Sequence, residues 1–397
     1  MKFEKDIRGK LSIKDRVTIY IKKKKPLSVM VCIAIVSALF LSLIIMTRFD
    51  PISAASSPAE LSADSVKMRI TIAGDICIDD YMRSQAQKSS YKNLLRGISN
   101  YWKESDYVMA NINGPILKYS KENYKSTLDK EEDSIYLRPA ALRGLADAGI
   151  NVFSFANDSV FNYGRTGIAS TINLLNENHV EYLGIANNSS EELSRAFNCF
   201  YWTENGEASD ITVTLFSIND AVRKRSTVTD EKAGVVDRSI DALYEQINEA
   251  SNKNGHVIVY VHFQDSESGI ITDNQRQFAH LLIDSGADVV IGSHPHTLQS
   301  VEKYADGIVA YGLGNLISSD NFSLMLDGAL ADYVVSDTGE ANLYFTPVRL
   351  VDGCPVITSN IMYEKRIQNI LSDGLDKGDY FITEEGAICI PLGRVEH

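Results

Sequence analysis

The sequence contains no CxxC pair, no excess of basic residues in its main body and no compositional repeat. Its five cysteines (Cys32, Cys77, Cys199, Cys354 and Cys389) are widely spaced. That spacing excludes both a zinc ribbon and a dense disulfide framework, though it leaves room for one unassigned disulfide. Only nine prolines occur in 397 residues, which argues against a low-complexity or collagen-like chain. Residues 1–26 hold ten Lys/Arg against three Asp/Glu, leaving 29 against 49 beyond them, a net charge of −20. A surface so acidic repels phosphate and excludes nucleic acid as a partner. It suits metal cations or a cationic surface.

Long apolar runs are also scarce, with one exception. Leu27 to Thr47 is free of charge over 21 residues, enough for a helix to cross a hydrocarbon core about 30 Å thick. Lys22, Lys23, Lys24 and Lys25 precede it directly, so the positive-inside bias places the N-terminus in the cytoplasm. A cleaved signal peptide competes, because Ser53-Ala54-Ala55 offers small residues. The run is too long for a usual h-region, however, and charges lie between it and that site. The expected organisation is a basic cytoplasmic tail (1–26), a transmembrane signal-anchor helix (27–47), a small-residue linker (48–66) and an extracytoplasmic domain (67–397). Cys32 becomes a membrane-buried thiol.

Beyond residue 66, strand-like and helix-like patterns alternate. Strands are expected at 68–73, 107–112, 151–156, 180–185, 211–218, 256–263 and 288–292. Helices are expected at 93–102, 140–148, 168–178, 239–253 and 274–285. This rhythm means an α/β domain with its sheets buried between helices. From Val301 onward, β-rich runs with glycine turns suggest hairpins completing a second sheet.

Polar residues cluster just after the strands, where open α/β folds build their sites. Asp75 ends the first strand, Asn111 and Asn113 the second, and Asn157, Asp158 and Ser159 the third. His262 ends a later strand, and His294 and His296 follow the next, with Pro295 fixing the turn between them. Taken singly, each has an ordinary structural role as a turn, cap or buried imidazole. His179, His256, His280 and His397 lack such a setting and are assigned to surface or caps. The ordered combination carries the signal.

That combination, in ITIAGD, ANINGP, FANDSVFNYG, LLIDSGADVVIGSHPHTLQSVEKY and VAYGLGNLI, resembles the capsule-synthesis CapA family, a branch of the calcineurin-like metallophosphatase superfamily. The resemblance implies a sandwich of two β-sheets flanked by helices, with a metal centre at the strand ends. It also implies a role in making or exporting an anionic envelope polymer such as poly-γ-glutamate, with polymer-synthase components as partners. Asp75, His262, His294 and His296 match the family motifs. Several positions depart from them: Asn113 stands where the family has a metal-binding Glu, Ser159 where it has a His, and Ser266 where it has a second Glu. Asp158 replaces a ligand Asn and restores the lost carboxylate.

The metal candidates are therefore Asp75, Asn113, Asp158, His262, His294 and His296, with Asn111 and Asn157 in support. They would hold one or two divalent ions. Mixed imidazole and carboxylate donors suit Zn, Mn or Fe alike. A serine is a poor proton donor near neutral pH, and losing a positioned general acid costs about 10²–10⁴-fold in rate. Two functions remain: a weakly catalytic or non-catalytic envelope protein with a degenerate metal site, or an active metal-dependent hydrolase of the envelope. A purely structural ectodomain without metal is the third reading.

Overall fold

The computed structural model describes residues 66–394 apart from 122, 125–134, 193–195, 203–207, 223, 254, 265–268 and 337–338, and before them 14, 18, 20, 22 and 29–41. The chain divides into two units, Met1–Pro51 and Ile52–His397. In the first, residues 29–41 are helical and their apolar side chains are exposed. The rest of the expected membrane span, 27–28 and 42–47, lies outside the described residues, as does the linker up to 65. Among the described residues, no helix is long and apolar enough to cross a membrane.

The second unit holds two large sheets packed face to face. In the ten-stranded sheet, Val66–Ile76, Tyr107–Ile112, Val152–Ser154 and Glu181–Leu183 lie side by side and parallel. The six-stranded sheet sets Val289–Ser293, His256–His262 and Ala208–Asn219 in parallel register. Met68, Ile70 and Ile72 alternate with Arg69 and Thr71, and this period of two turns three apolar side chains toward the second sheet. There they join Leu215, Ile258, Tyr260 and Ile291 in one buried core. On the opposite faces, Leu142, Leu145, Ile168 and Ile172 from helices Pro139–Asp147 and Gly164–Glu177 cover the first sheet. Leu243, Ile247, Phe278 and Leu282 from helices Asp241–Ser251 and Asp273–Asp284 cover the second. Burial on both faces explains why VIVYV reads as an unbroken apolar run. The layering is the helix-flanked two-sheet sandwich expected above.

Three expectations need correction. Residues 93–102 are not one α-helix but two short 3-10 turns, Lys92–Leu95 and Tyr101–Glu104. Gly97 abuts the Pro355 carbonyl so closely that a Cβ would lie 2.4 Å from it. Leu94, Leu95, Ile98, Tyr101 and Trp102 are all buried, and the tighter turns accommodate this crowding. The strand expected over 180–185 is split after Leu183 by Gly184, whose φ of +84° needs a residue without a Cβ.

The third correction concerns the C-terminal third. Only Val301–Tyr304 and Gly307–Ala310 join the second sheet. Asn315–Ile317, Asp327–Ser336, Glu340–Val351, Cys354–Ile357, Phe381–Ile382 and Ile388–Arg394 extend the first sheet instead. A helix, Ile361–Ser372, interrupts them with Asn360 as its N-cap. Asp327–Ser336 pairs antiparallel with the first strand. All five cysteines are free.

Candidate metal centre

Strand register brings the site together. Asp75 lies opposite Asn111 on one side and Asn315 on the other, while His262 lies opposite Ser293 and Asn219. Gly74 makes the first junction possible, since a Cβ there would sit 1.9 Å from the Gly314 carbonyl oxygen. No other residue fits that approach.

Asp75 is buried and has both oxygens engaged. Oδ1 accepts from Asn111 Nδ2 at 2.6 Å, and Oδ2 accepts from the His294 backbone N–H at 3.1 Å. Asn111 Nδ2 also donates to Asn113 Oδ1 at 3.0 Å. Asn157 Nδ2 donates to Asn111 Oδ1 at 3.2 Å and to the Ile112 carbonyl at 2.8 Å, and its Oδ1 accepts from Val160 N–H. Asn111, Asn113 and Asn157 thus form a buried amide chain that braces three strand ends. Asn113 belongs to this brace, with its oxygen facing a neighbouring amide.

Three donors converge beside that chain. Asp158 Oδ1 lies 3.5 Å from His262 Nε2, and the His262 and His294 rings are 4.5 Å apart between centroids. One ligand atom from each of Asp158, His262 and His294 lies within 4.8 Å of the other two. His262 is 2% exposed, and its Nε2 has no hydrogen-bond partner. Its Nδ1 lies 3.3 Å from Ser293 Oγ on the opposite side of the ring. A buried ring nitrogen left unpaired beside a carboxylate and a second imidazole fits one divalent cation. Burial first, and then the neighbouring His262, lowers the His294 pKa to about 4, against the pull of Asp158. Its imidazole is therefore neutral at neutral pH, the form a metal requires.

Of the six expected ligands, Asp158, His262 and His294 form this group, whereas Asp75 and His296 pair beside it at 3.6 Å between Oδ2 and Nδ1. His296 Nδ1 also donates to Asn315 Oδ1 at 2.8 Å, and Asn315 Nδ2 returns a bond to the His296 carbonyl at 3.3 Å. His294 (φ +91°) and His296 (φ +54°) flank Pro295 in left-handed backbone. The two rings meet different partners. Ser159 Oγ donates to Asp158 Oδ1 at 3.4 Å. Ser266 lies outside the described residues. Asn315 and Ser293 were not singled out from the sequence as site residues, although GLGN after a strand marked the first. His256 departs from its surface assignment: it is buried, with Nδ1 2.5 Å from Tyr333 Oη. Burial pushes the Cys77 thiol up to about 12, so no thiolate adjoins the site near neutral pH.

A pH dependence follows. A group whose pKa falls on folding binds fewer protons folded than unfolded, so its stabilising contribution fades as pH drops. In metal-free protein, the His294 contribution is complete above about 6.5 and lost by about 4. The melting temperature of metal-free full-length protein is expected to fall across that window, and less steeply in His294→Ala. Parallel curves for the two proteins would contradict the assignment.

Residues 69–320 match the family model described as "Bacterial capsule synthesis protein PGA_cap". The chain is 28% identical to the Capsule biosynthesis protein CapA of Bacillus anthracis over 394 residues, covering 98% of this chain and 92% of the relative. It is 25% identical to the PGA biosynthesis protein CapA of Bacillus subtilis (strain 168) over 336 residues, covering 84% and 83%. Among solved structures, the calcineurin-like phosphoesterase YfkN of Bacillus subtilis aligns over 79% of this chain and all of that chain. Its TM-score is 0.38 at 13% identity, a loose likeness.

Proposed function

The chain belongs to the bacterial capsule synthesis protein family PGA_cap, and we propose that it assists the synthesis, export or anchoring of an anionic capsule polymer of the poly-γ-glutamate type. It does so as a single-pass membrane protein with its large domain outside the cytoplasm, holding one divalent ion and hydrolysing little or nothing. The names of both relatives, capsule biosynthesis and PGA biosynthesis, support the polymer. The charge-free run 27–47 behind four lysines supports the anchor.

The observation that carries the reading is the Asp158, His262 and His294 group with Ser159 beside it. Asp158 and the two imidazoles would hold the cation, which supplies a Lewis-acid charge able to bind a carboxylate. Asp75 holds the His294 backbone through its N–H, and the amide chain fixes Asp75. Ser159 spends its hydroxyl on the Asp158 carboxylate and orients it. At the family's His position there is thus no group able to protonate a leaving oxygen near pH 7.

Metal content and turnover test this together. Full-length protein in detergent is expected to carry about one metal ion per chain, and its hydrolysis of an activated phosphodiester should not exceed that of His294→Ala. Turnover well above the variant's would overturn the weakly catalytic reading and establish a hydrolase. A folded protein without metal would turn the search toward binding partners alone.

A further inference from the structure

The segment 221–238 stands next to the candidate metal centre and is unlike the rest of the domain in charge. Residues 221–232 carry Arg223, Lys224, Arg225 and Lys232 against Asp230 and Glu231, a net of +2 inside a body of net −20. Lys224, Arg225 and Lys232 are exposed. Asp230 accepts a hydrogen bond from the Ser189 hydroxyl. Farther along, the Asp237 carboxylate is buried and accepts from Thr227, Ser239 N–H and Ser239 Oγ. Asp237 is thus buried within the fold, while Lys224, Arg225 and Lys232 are exposed alongside Asp230 and Glu231.

Both ends of the segment are fixed to the site. At its start, Asn219 is the register partner of His262, and Asp220 N–H donates to the His262 carbonyl at 2.9 Å. At its far end, Gly234–Val235 packs on the Ser159–Phe161 turn that follows Asp158. Arg165, just beyond that turn, donates to the carbonyls of Ala233 and Arg225, the latter at 2.8 Å. Short bridges between Thr227 and Val235 and between Thr229 and Lys232 hold the excursion in shape. The metal group and the cationic rim are therefore parts of one framework.

We propose that this rim, centred on Lys224, Arg225 and Lys232, docks an extended polycarboxylate chain and leads it to the metal centre. The partner's identity rests on the capsule-polymer reading above, and the placement on charge and connectivity. A domain of net −18 repels a polyanion at long range, and this local reversal of sign gives the polymer one place to approach.

The test is binding of poly-γ-glutamate of defined length to metal-loaded full-length protein in detergent, with polyphosphate and uncharged dextran as comparison polymers. Wild-type protein is expected to bind the polyglutamate, more weakly as salt rises from about 50 to 200 mM. The triple variant Lys224→Glu, Arg225→Glu, Lys232→Glu should lose at least about tenfold in affinity. The neutral triple Lys224→Gln, Arg225→Gln, Lys232→Gln should fall between, and Lys365→Glu should stay within about twofold. Both triples at wild-type affinity would overturn the placement and leave the polymer reading standing. Preference for polyphosphate would overturn the polycarboxylate class. Absence of any polyanion binding would overturn the rim itself, while metal content in the same preparations reports separately on the metal reading.

Discussion

His262→Ala in the full-length chain is expected to remove the bound metal, weakening metal affinity by at least about 100-fold, more than outer-shell substitutions cost. His262 Nε2 is enclosed, without a hydrogen-bond partner, and 3.5 Å from Asp158 Oδ1. A ring nitrogen kept from both water and partners is tolerated where another species completes its valence. With the ring gone, Asp158 and His294 alone remain of the group, and two donors hold a borderline divalent ion poorly. The control is His256→Ala, which removes an imidazole paired with Tyr333. It should cost stability and keep the metal. Metal analysis after gel filtration separates the two, and a His262→Ala protein with full metal content would place the ion elsewhere.

The second large effect concerns stability. Asp332 is wholly buried and accepts from Thr71 and from Tyr101, whose hydroxyl also lies 2.7 Å from Thr346 Oγ1. Arg69 Nη2 lies 3.4 Å away, and that side chain is only 9% exposed. Asp332→Ala leaves a buried guanidinium without its carboxylate, a change that costs about 3–5 kcal/mol. Denaturant unfolding followed through tryptophan fluorescence measures it, since Trp102 is buried beside Tyr101 in sequence. Asp332→Asn, which keeps the acceptor oxygen, should lose less. A loss below about 1 kcal/mol for Asp332→Ala would show that the network is dispensable.

Much of the layering was legible because the chain writes its burial in its periodicity. VIVYV could only be a strand covered on both faces, and the strand ends that follow such runs could be named as the edge where ligands gather. The partition of the ligands was not legible. His294 and His296 are separated by one proline, and only the tertiary contacts show that one meets His262 and Asp158 while the other meets Asp75 and Asn315. Nor could spacing reveal that Asn113 accepts from Asn111 and so belongs to a brace. Asn315 escaped because its role depends on pairing between Asn315–Ile317 and the end of a strand about 240 residues earlier. The strands from Asn315 onward were assigned to the wrong sheet for the same reason, while the Val301–Tyr304 and Gly307–Ala310 hairpin does join the second sheet; local pattern specifies a strand but not its neighbour.

The position of Val66–Ile76 also sets the order in which the molecule can be completed. Among the described residues that strand is the first in the domain, yet it lies between Tyr107–Ile112 and Asp327–Ser336, with Asn315–Ile317 against its end. During synthesis, Asp75 emerges early and waits for some 240 further residues before its second flank exists. Closing so long a loop is slow. The nascent chain therefore carries Asp75 at a strand end flanked on one side only until Asn315–Ile317 and Asp327–Ser336 are available.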